Sequence, residues 1–360
     1  MTKLKFQALA DELRRGILAG TWPVGSRLPT EDQLAARNGL SLTTVRRAMD
    51  ELVSSGLVLR RQGAGTFVAA SDDGSPPRDQ MIGVLVPDLR FYYPRVLQGI
   101  EDTLSAAQVG IRLSAYEYDS GREDTGIDEL INAGVDGLIL TPTLLAPVDG
   151  RARMAELAAL PLPVVLLERS PSSLGPADRT EYVCSDHAGG AYDAISHLHA
   201  LGHRRIGLML REESPTGADV ATGYTSAVRD FALEPVIAAA PMDRWRETGA
   251  VPMLELIISA GCTAALVFGD REALLVARAA EDGGVRIPDD LALISYDDEL
   301  AEHASIPLTA VSPAKHRLGS LATQVMLRRL AEGDACPLHR IQLRPRLVVR
   351  DSCGIGRVSG

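Results

Sequence analysis

From Met81 onward, short apolar runs of parallel-strand type alternate with stretches of helical period. The first runs are MIGVLVP (81–87), GIRLSAYEY (110–118), GVDGLILTP (134–142) and LPVVLLE (162–168), separated by predicted helices near 94–107, 123–133 and 150–159. Near-continuous apolarity is what a strand covered on both faces requires. A second set follows the same scheme. HRRIGLMLR (203–211), AALVFGD (264–270) and LALISYDD (291–298) alternate with predicted helices near 187–200, 217–231, 248–259 and 271–282. Two α/β units in tandem predict two open parallel sheets, and ligands of such sheets bind beyond the carboxyl ends of the strands. The expected site is therefore a cleft between the two units.

The pattern before Met81 is different. Thr30 with Gln33 forms an S/T-x-x-E/Q capping box, so a helix is expected to begin at Glu31 and to stop near Asn38-Gly39. Ser41 then caps a second helix whose apolar positions Val45, Ala48, Met49, Leu52 and Val53 recur at three- and four-residue spacings. Leu42, Thr43, Thr44, Arg46 and Arg47 fall outside that stripe. Hydroxyl and guanidinium groups on one helix face suit base edges and phosphates in a major groove, and Leu42 suits a thymine methyl. After Gly56 the chain alternates as a hairpin, with Leu57–Leu59 and Thr66–Val68 as arms and Arg60-Arg61-Gln62-Gly63-Ala64-Gly65 as the turn. The arginines are expected on phosphates, and the small wing tip is expected to approach the backbone or the minor groove.

Charge sharpens this division. The 360-residue chain carries a formal net charge of −10, yet residues 1–70 hold ten Lys/Arg against six Asp/Glu. A basic head on an acidic body is expected where only one module meets nucleic acid. Between them, Ser71 to Gln80 (SDDGSPPRDQ) is polar, rich in Gly and Pro and without period, and reads as a linker.

The head, Phe6 to Val68, resembles the winged helix-turn-helix of the GntR family of bacterial transcription regulators. The resemblance rests on FQALADELRRGILAG, PVGSRLPTEDQLA and SLTTVRRAMDELVSSGLVLRRQGAGTFV. It implies DNA contacts from Arg27, Thr30, Ser41, Leu42, Thr43, Thr44, Arg46, Arg47, Arg60, Arg61, Gln62, Gly63 and Gly65. Asp32 and Leu42 depart from the basic or polar residues common there. The body, Met81 to Ser352, resembles the effector domain of LacI/GalR-type repressors, itself similar to periplasmic sugar-binding proteins. VDGLIL, PVVLLERS, SDHAGGAYDAISHLHALGHRRIGLML, CTAALVFGDREALLVARAAEDGGVRIPDDLALISYDD, PLTAVSP and LRPRLVVRDS carry that resemblance, in order.

Together these imply a multidomain chain: an α+β winged helix at 1–70, a linker at 71–80, and an α/β periplasmic-binding-protein-like domain of two parallel-sheet subdomains at 81–352. In such domains the chain crosses three times between subdomains. One subdomain is thus expected at about 81–183 plus 312–335, the other at about 184–311 plus 336–352. Asp270 and Asp297 each close an apolar strand, where a carboxylate is costly unless it has a partner, and there each can accept hydroxyl donors. Arg169 follows another strand. Asp186 precedes a helix, either as ligand contact or as its N-cap. Tyr92, Tyr93 and Trp245 are candidates for stacking on the apolar face of a sugar ring.

Departures from the family pattern bear on the ligand. Gly269 stands where an Asn is usual, His187 follows Asp186, and Val220 stands where a ligand-binding Arg is frequent, removing a clamp for an anion. A neutral sugar or polyol is therefore expected, with a nucleoside, purine or sugar phosphate as the alternative. The resemblance implies a ligand-responsive repressor that binds a palindromic operator as a homodimer. A head fused to a pyridoxal-phosphate enzyme is disfavoured, because a Schiff base needs a lysine and the chain has only Lys3, Lys5 and Lys315. Neither a cofactor nor a metal is expected. Cys184, Cys262, Cys336 and Cys353 lie far apart, with no C-x-x-C pair. An N-terminus without an apolar signal core and the absence of an 18-residue apolar run lead to the expectation of a cytoplasmic protein without a membrane partner.

Overall fold

The computed structural model describes residues 5–18, 21–23, 25–54, 57–61, 65–68, 80–144, 150–170, 178–212, 214–247 and 250–354. The chain forms two compact units, Met1–Asp79 and Gln80–Gly360. The expected linker falls almost wholly outside the described residues.

The first unit holds α1 (Lys5–Leu18), α2 (Glu31–Asn38), α3 (Leu42–Ser54), β1 (Val58–Arg61) and β2 (Gly65–Val68). Both halves of the capping box form at α2: Gln33 N donates to Thr30 Oγ1 at 3.3 Å, and Thr30 N to Gln33 Oε1 at 2.9 Å. Gly39 ends α2 at φ 61°, a conformation that costs glycine little. Ser41 Oγ accepts from Thr44 N at 3.2 Å and so caps α3. Leu9, Ala10, Leu13 and Ile17 of α1 pack on Val45, Ala48, Met49 and Leu52 of α3, burying one apolar stripe of each helix. The wing is antiparallel. Arg60 and Arg61, expected in its turn, lie in β1 opposite Thr66 and Gly65, because the strand pairing runs two residues further than the apolar alternation does.

In the second unit the first sheet is built by β3 (Met81–Val86), α4 (Tyr93–Ala106), β4 (Gly110–Ala115), α5 (Ser120–Asn132), β5 (Gly137–Leu140), α6 (Gly150–Ala158), β6 (Val164–Leu167) and β7 (Glu181–Ser185). The second follows with α7 (His187–Ala200), β8 (Ile206–Arg211), α8 (Pro215–Asp230), β9 (Val236–Ala240), α9 (Met242–Glu247), α10 (Val251–Ser259), β10 (Ala264–Val267), α11 (Asp270–Asp282), β11 (Ala292–Tyr296) and β12 (Thr309–Ser312). The chain closes with α12 (Lys315–Glu332), β13 (Arg340–Leu343) and β14 (Arg346–Val348).

The strand orders are β13-β7-β6-β5-β3-β4, wholly parallel, and β14-β12-β11-β10-β8-β9, parallel except for β14 against β12. The inner strands of each sheet are buried on both faces, as their apolar runs demand. In the first, Ile82, Val84 and Val86 pack beneath α4 and α12, while Leu85, Leu138 and Leu140 pack on the opposite face. Helices α4 and α12 approach closely because Gly99 and Gly319 have no side chain. A Cβ on Gly99 would stand 2.0 Å from His316 O, and one on Gly319 would stand 2.0 Å from Val96 O.

Three subdomain assignments need correction, the smallest being that Ser312 pairs with Arg346 in the second sheet, so the middle crossing follows 312 rather than 311. β7 ends at Ser185 and belongs whole to the first sheet, so the chain leaves that subdomain after 185 rather than 183. β13, expected in the second subdomain, pairs with β7 in the first sheet, which moves the last crossing from 335–336 to 344–345. The run RIQL is half polar because an edge strand is covered on one side only, and that alternation hid it among apolar strands.

Candidate functional site

The head presents α3 and the wing. On α3, Leu42 is 40% exposed, Thr43, Arg46 and Arg47 are exposed, and Thr44 is half-buried. Arg46 Nε donates to Glu31 Oε2 at 3.0 Å, and the Arg47 guanidinium lies 4.2 Å over the Phe6 ring. Arg60 joins Glu31 and Asp50. Thr30 and Ser41, expected on DNA, spend their side chains on the two helix caps. Gly65 has φ 117° and lets the Arg27 side chain cross the wing, since a Cβ there would meet Arg27 Nε at 2.5 Å. Gln62, Gly63 and the side chain of Arg61 lie outside the described residues.

The second unit carries a cleft of about 250 Å³ between its two sheets. From the first sheet it is lined by Asp88, Arg90, Phe91, Tyr92 and Tyr93 after β3, and by Glu117 and Tyr118 after β4. From the second come Arg211 at the end of β8, Phe268 to Glu272 after β10, and Asp297, Glu299 and Leu300 after β11. Every one of these segments follows the carboxyl end of a strand, the place where parallel sheets bind ligands. Phe91, Glu117, Tyr118 and Asp297 also hold positive φ, at 53°, 52°, 61° and 95°. Such backbone strain in residues other than glycine concentrates at functional sites.

Of the expected ligand residues, Tyr92, Tyr93, Asp270 and Asp297 line the cleft, but the two aspartates differ in kind. Asp270 accepts from Ser295 Oγ and Leu300 N, both at 2.8 Å, and from Glu299 N. Its oxygens hold the 295–300 segment. The carboxylate of Asp297 has no hydrogen bond or ion pair among the described residues. Burial, with Asp270 next and Glu272 adding to it, pushes that carboxyl up to about 7 against the pull of Lys315 and His187.

Three expected contacts are not on the cleft wall. Trp245 is 2% exposed, sits in the core with Met209, Leu254 and Ile257, and donates Nε1 to Leu210 O at 3.2 Å. An indole buries best where its N–H finds a carbonyl, and β8 offers one. Arg169 is buried and braces the loop behind the cleft, with Nε on Pro142 O at 3.1 Å and Nη1 on Glu168 O at 2.7 Å. Asp186 is the N-cap of α7, accepting from Gly189 N at 2.8 Å, and its other oxygen takes Arg344 Nη1 at 2.6 Å across the last crossing.

Glu168 was missed, although it closes an apolar strand in the manner of Asp270 and Asp297. It accepts from Tyr92 Oη and from Ser185 N and Oγ, and lies 3.3 Å from His187 Nε2. Burial pushes its carboxyl up, but His187, Tyr92 and Ser185 together overcome that and bring it to about 2. His187 Nδ1 in turn meets Tyr296 Oη at 3.1 Å. Tyr92 is thereby tied to the first crossing. Lys315, at the second, lies over its ring at 5.2 Å and pairs with Glu299 at 2.8 Å. Contacts of this type depend on which strand ends the fold brings together, and no spacing in the chain encodes them.

The chain combines a winged helix-turn-helix in its first unit with a two-sheet cleft in its second. Residues 5–68 match the bacterial regulatory proteins of the gntR family, and residues 195–353 match the periplasmic binding protein-like domain. The chain thus joins a GntR helix-turn-helix domain to a periplasmic-binding-protein-like effector domain, and its homologues are GntR- and LacI-type transcriptional regulators. Among them, the arabinose metabolism transcriptional repressor of Geobacillus stearothermophilus is 27% identical over 363 residues, 97% of each chain. The transcriptional repressor CytR of Escherichia coli K12 is 28% identical over 253 residues, covering 69% of this chain and 72% of that protein. In structure, a LacI family transcriptional regulator from Enterococcus faecium with bound ribose aligns with a TM-score of 0.63 at 25% identity, over 76% of this chain and 98% of that one. Each of these relatives is named a transcriptional repressor or regulator. Among the described residues no helix is long and apolar enough to cross a membrane.

Proposed function

We propose that this chain is a transcriptional repressor that binds an inverted-repeat operator as a homodimer and responds to a small neutral sugar or polyol in the cleft. The observation that carries the ligand class is the carboxylate of Asp297, without a partner among the described residues, in a cleft walled by Phe91, Tyr92, Tyr118 and Phe268. A carboxylate accepts two hydroxyl donors while aromatic faces cover the C–H side of a sugar ring. Lining carboxylates also outnumber guanidinium groups: Asp88, Glu117, Asp270, Glu272, Asp297 and Glu299 against Arg90, Arg211 and Arg271. That excess opposes a phosphorylated ligand. The volume suits a compact molecule, since it lies below the roughly 300–1,000 Å³ of sites for drug-sized ligands. The arabinose repressors among the relatives make pentoses the first class to test. Ligand acts by binding one subdomain arrangement more tightly than the other, and so shifts the affinity for DNA. DNA as the target places the work in the cytoplasm.

The test is thermal unfolding of the full chain with L-arabinose, D-ribose, D-xylose, cellobiose and the pentose 5-phosphates. A sugar at one hundred times its dissociation constant stabilises the fold by about 2.7 kcal/mol. Neutral pentoses are expected to raise the midpoint and their phosphates to leave it unmoved. A shift produced by the phosphates alone refutes the ligand class.

Binding of the neutral sugar should also depend on pH with a definite sign. Ligand hydroxyls donate to the ionised Asp297 carboxylate, so affinity should rise as pH passes upward through about 7 and level off above it. Titration calorimetry between pH 6 and 8 checks this, and Asp297→Asn should flatten the profile.

A further inference from the structure

We infer that Arg46 is the base-reading guanidinium of the head, that Arg60 is a strut fixing the wing to the helices, and that Glu31 is the positioning residue holding both. The inference rests on the DNA-reading function proposed above. Its source is the way two arginines share one carboxylate. Glu31, the first residue of α2, accepts from Arg46 Nε through Oε2 at 3.0 Å and from Arg60 Nη2 through Oε1 at 3.1 Å. Arg60 Nη1 donates to Asp50 Oδ1 on α3 at 2.7 Å. One carboxylate thus joins α2, α3 and the wing strand β1.

The two guanidinium groups spend different nitrogens. A guanidinium offers five N–H donors in a planar fork, and its terminal pair matches O6 and N7 of guanine in the major groove. Arg46 commits only Nε, its side chain is 65% exposed, and Nη1 and Nη2 have no partner among the described residues. Glu31 therefore fixes the stem of the fork and leaves its reading end outward. Arg60 commits both terminal nitrogens to carboxylates on two helices and keeps only Nε. It cannot present a fork to DNA without breaking two charge-assisted bonds. Sequence reading placed Arg46 and Arg60 together as DNA contacts because composition does not show which nitrogens are spent.

The roles differ in two measurable quantities. A phosphate contact contributes about 0.9 to the slope of log affinity against log salt, whereas a base contact contributes discrimination between base pairs. Full-length protein is used to select from a pool of randomised duplexes, and the salt dependence is then measured on the enriched duplex. Arg46→Ala should weaken the enriched duplex at least about fivefold and erase preference at one base pair in each half-site. Glu31→Gln should erase the same preference with the salt slope held. Arg60→Gln should keep both the preference and the slope. A fall in slope of about 0.9 or more for Arg60→Gln makes Arg60 a phosphate contact and overturns the strut. Retention of the wild-type preference by Glu31→Gln overturns the positioning role. Where Glu31→Gln fails to fold by circular dichroism, Arg46→Lys carries the test, because an ammonium keeps the charge but lacks the fork: preference should fall and slope should hold, and unaltered preference overturns the assignment. If the wild type enriches no sequence and shows no salt sensitivity, the DNA-reading function itself fails and takes this inference with it.

Discussion

Asp297→Ala is expected to abolish the sugar-induced thermal shift while leaving the protein folded. The carboxylate has no partner among the described residues, so its removal strands no donor and the fold loses little. A ligand hydroxyl facing alanine loses a charge-assisted bond of about 1.5–3 kcal/mol, and two such bonds would exceed a hundredfold in affinity. The replacement also removes a carboxyl that burial pushes up to about 7, and this sets the accompanying effect on stability. A carboxyl whose folded value exceeds its unfolded one near 3.9 holds its proton longer in the native state, so stability declines as pH rises from about 4 to about 7. That decline should vanish in Asp297→Ala. Asp270→Ala is the contrasting case: it orphans Ser295 Oγ and two backbone N–H groups, so its first effect should be on stability. Calorimetric titration with the responsive pentose decides the matter, and wild-type affinity in Asp297→Ala refutes the cleft assignment.

Trp245→Ala should act the other way, costing stability and sparing affinity. An indole only 2% exposed among Met209, Leu254 and Ile257 leaves a cavity when truncated, and such replacements cost about 3–5 kcal/mol. Leu210 O loses its donor as well. In urea the midpoint should fall sharply, while sugar affinity measured well below that midpoint should stay within about twofold, because the ring is not on the cleft wall. Loss of affinity without loss of stability would return Trp245 to the role of a ligand platform.

These two residues show how far the chain could be read unaided. The place of Asp297 on the cleft wall was legible because a carboxylate closing an apolar strand violates the local pattern. Applied evenly, the same rule would have found Glu168. Trp245 was not legible, because an isolated aromatic looks alike whether it faces a core or a ligand. Asp186 offered both a cap and a ligand contact, and the backbone N–H of Gly189, three residues on, decides for the cap. Arg169 also stands after a strand, and the fold commits its Nε and Nη1 to the carbonyls of Pro142 and Glu168, which no spacing encodes.

The sequence alone determined whatever depends on neighbours within a few positions. It specified the capping box at Thr30, the stripe on α3, the strand and helix alternation, and the basic head on an acidic body, because these follow from backbone hydrogen bonding and from the period of burial. The tertiary structure decided what depends on groups far apart in the chain. It placed β13 in the first sheet, spent Arg60 on two carboxylates while leaving the end of Arg46 open among the described residues, and left the Asp297 carboxylate without a partner among them beside a committed Asp270. The physical reason is the same in each case: a polar side chain is available for function only after the fold has decided which of its hydrogen bonds are already made.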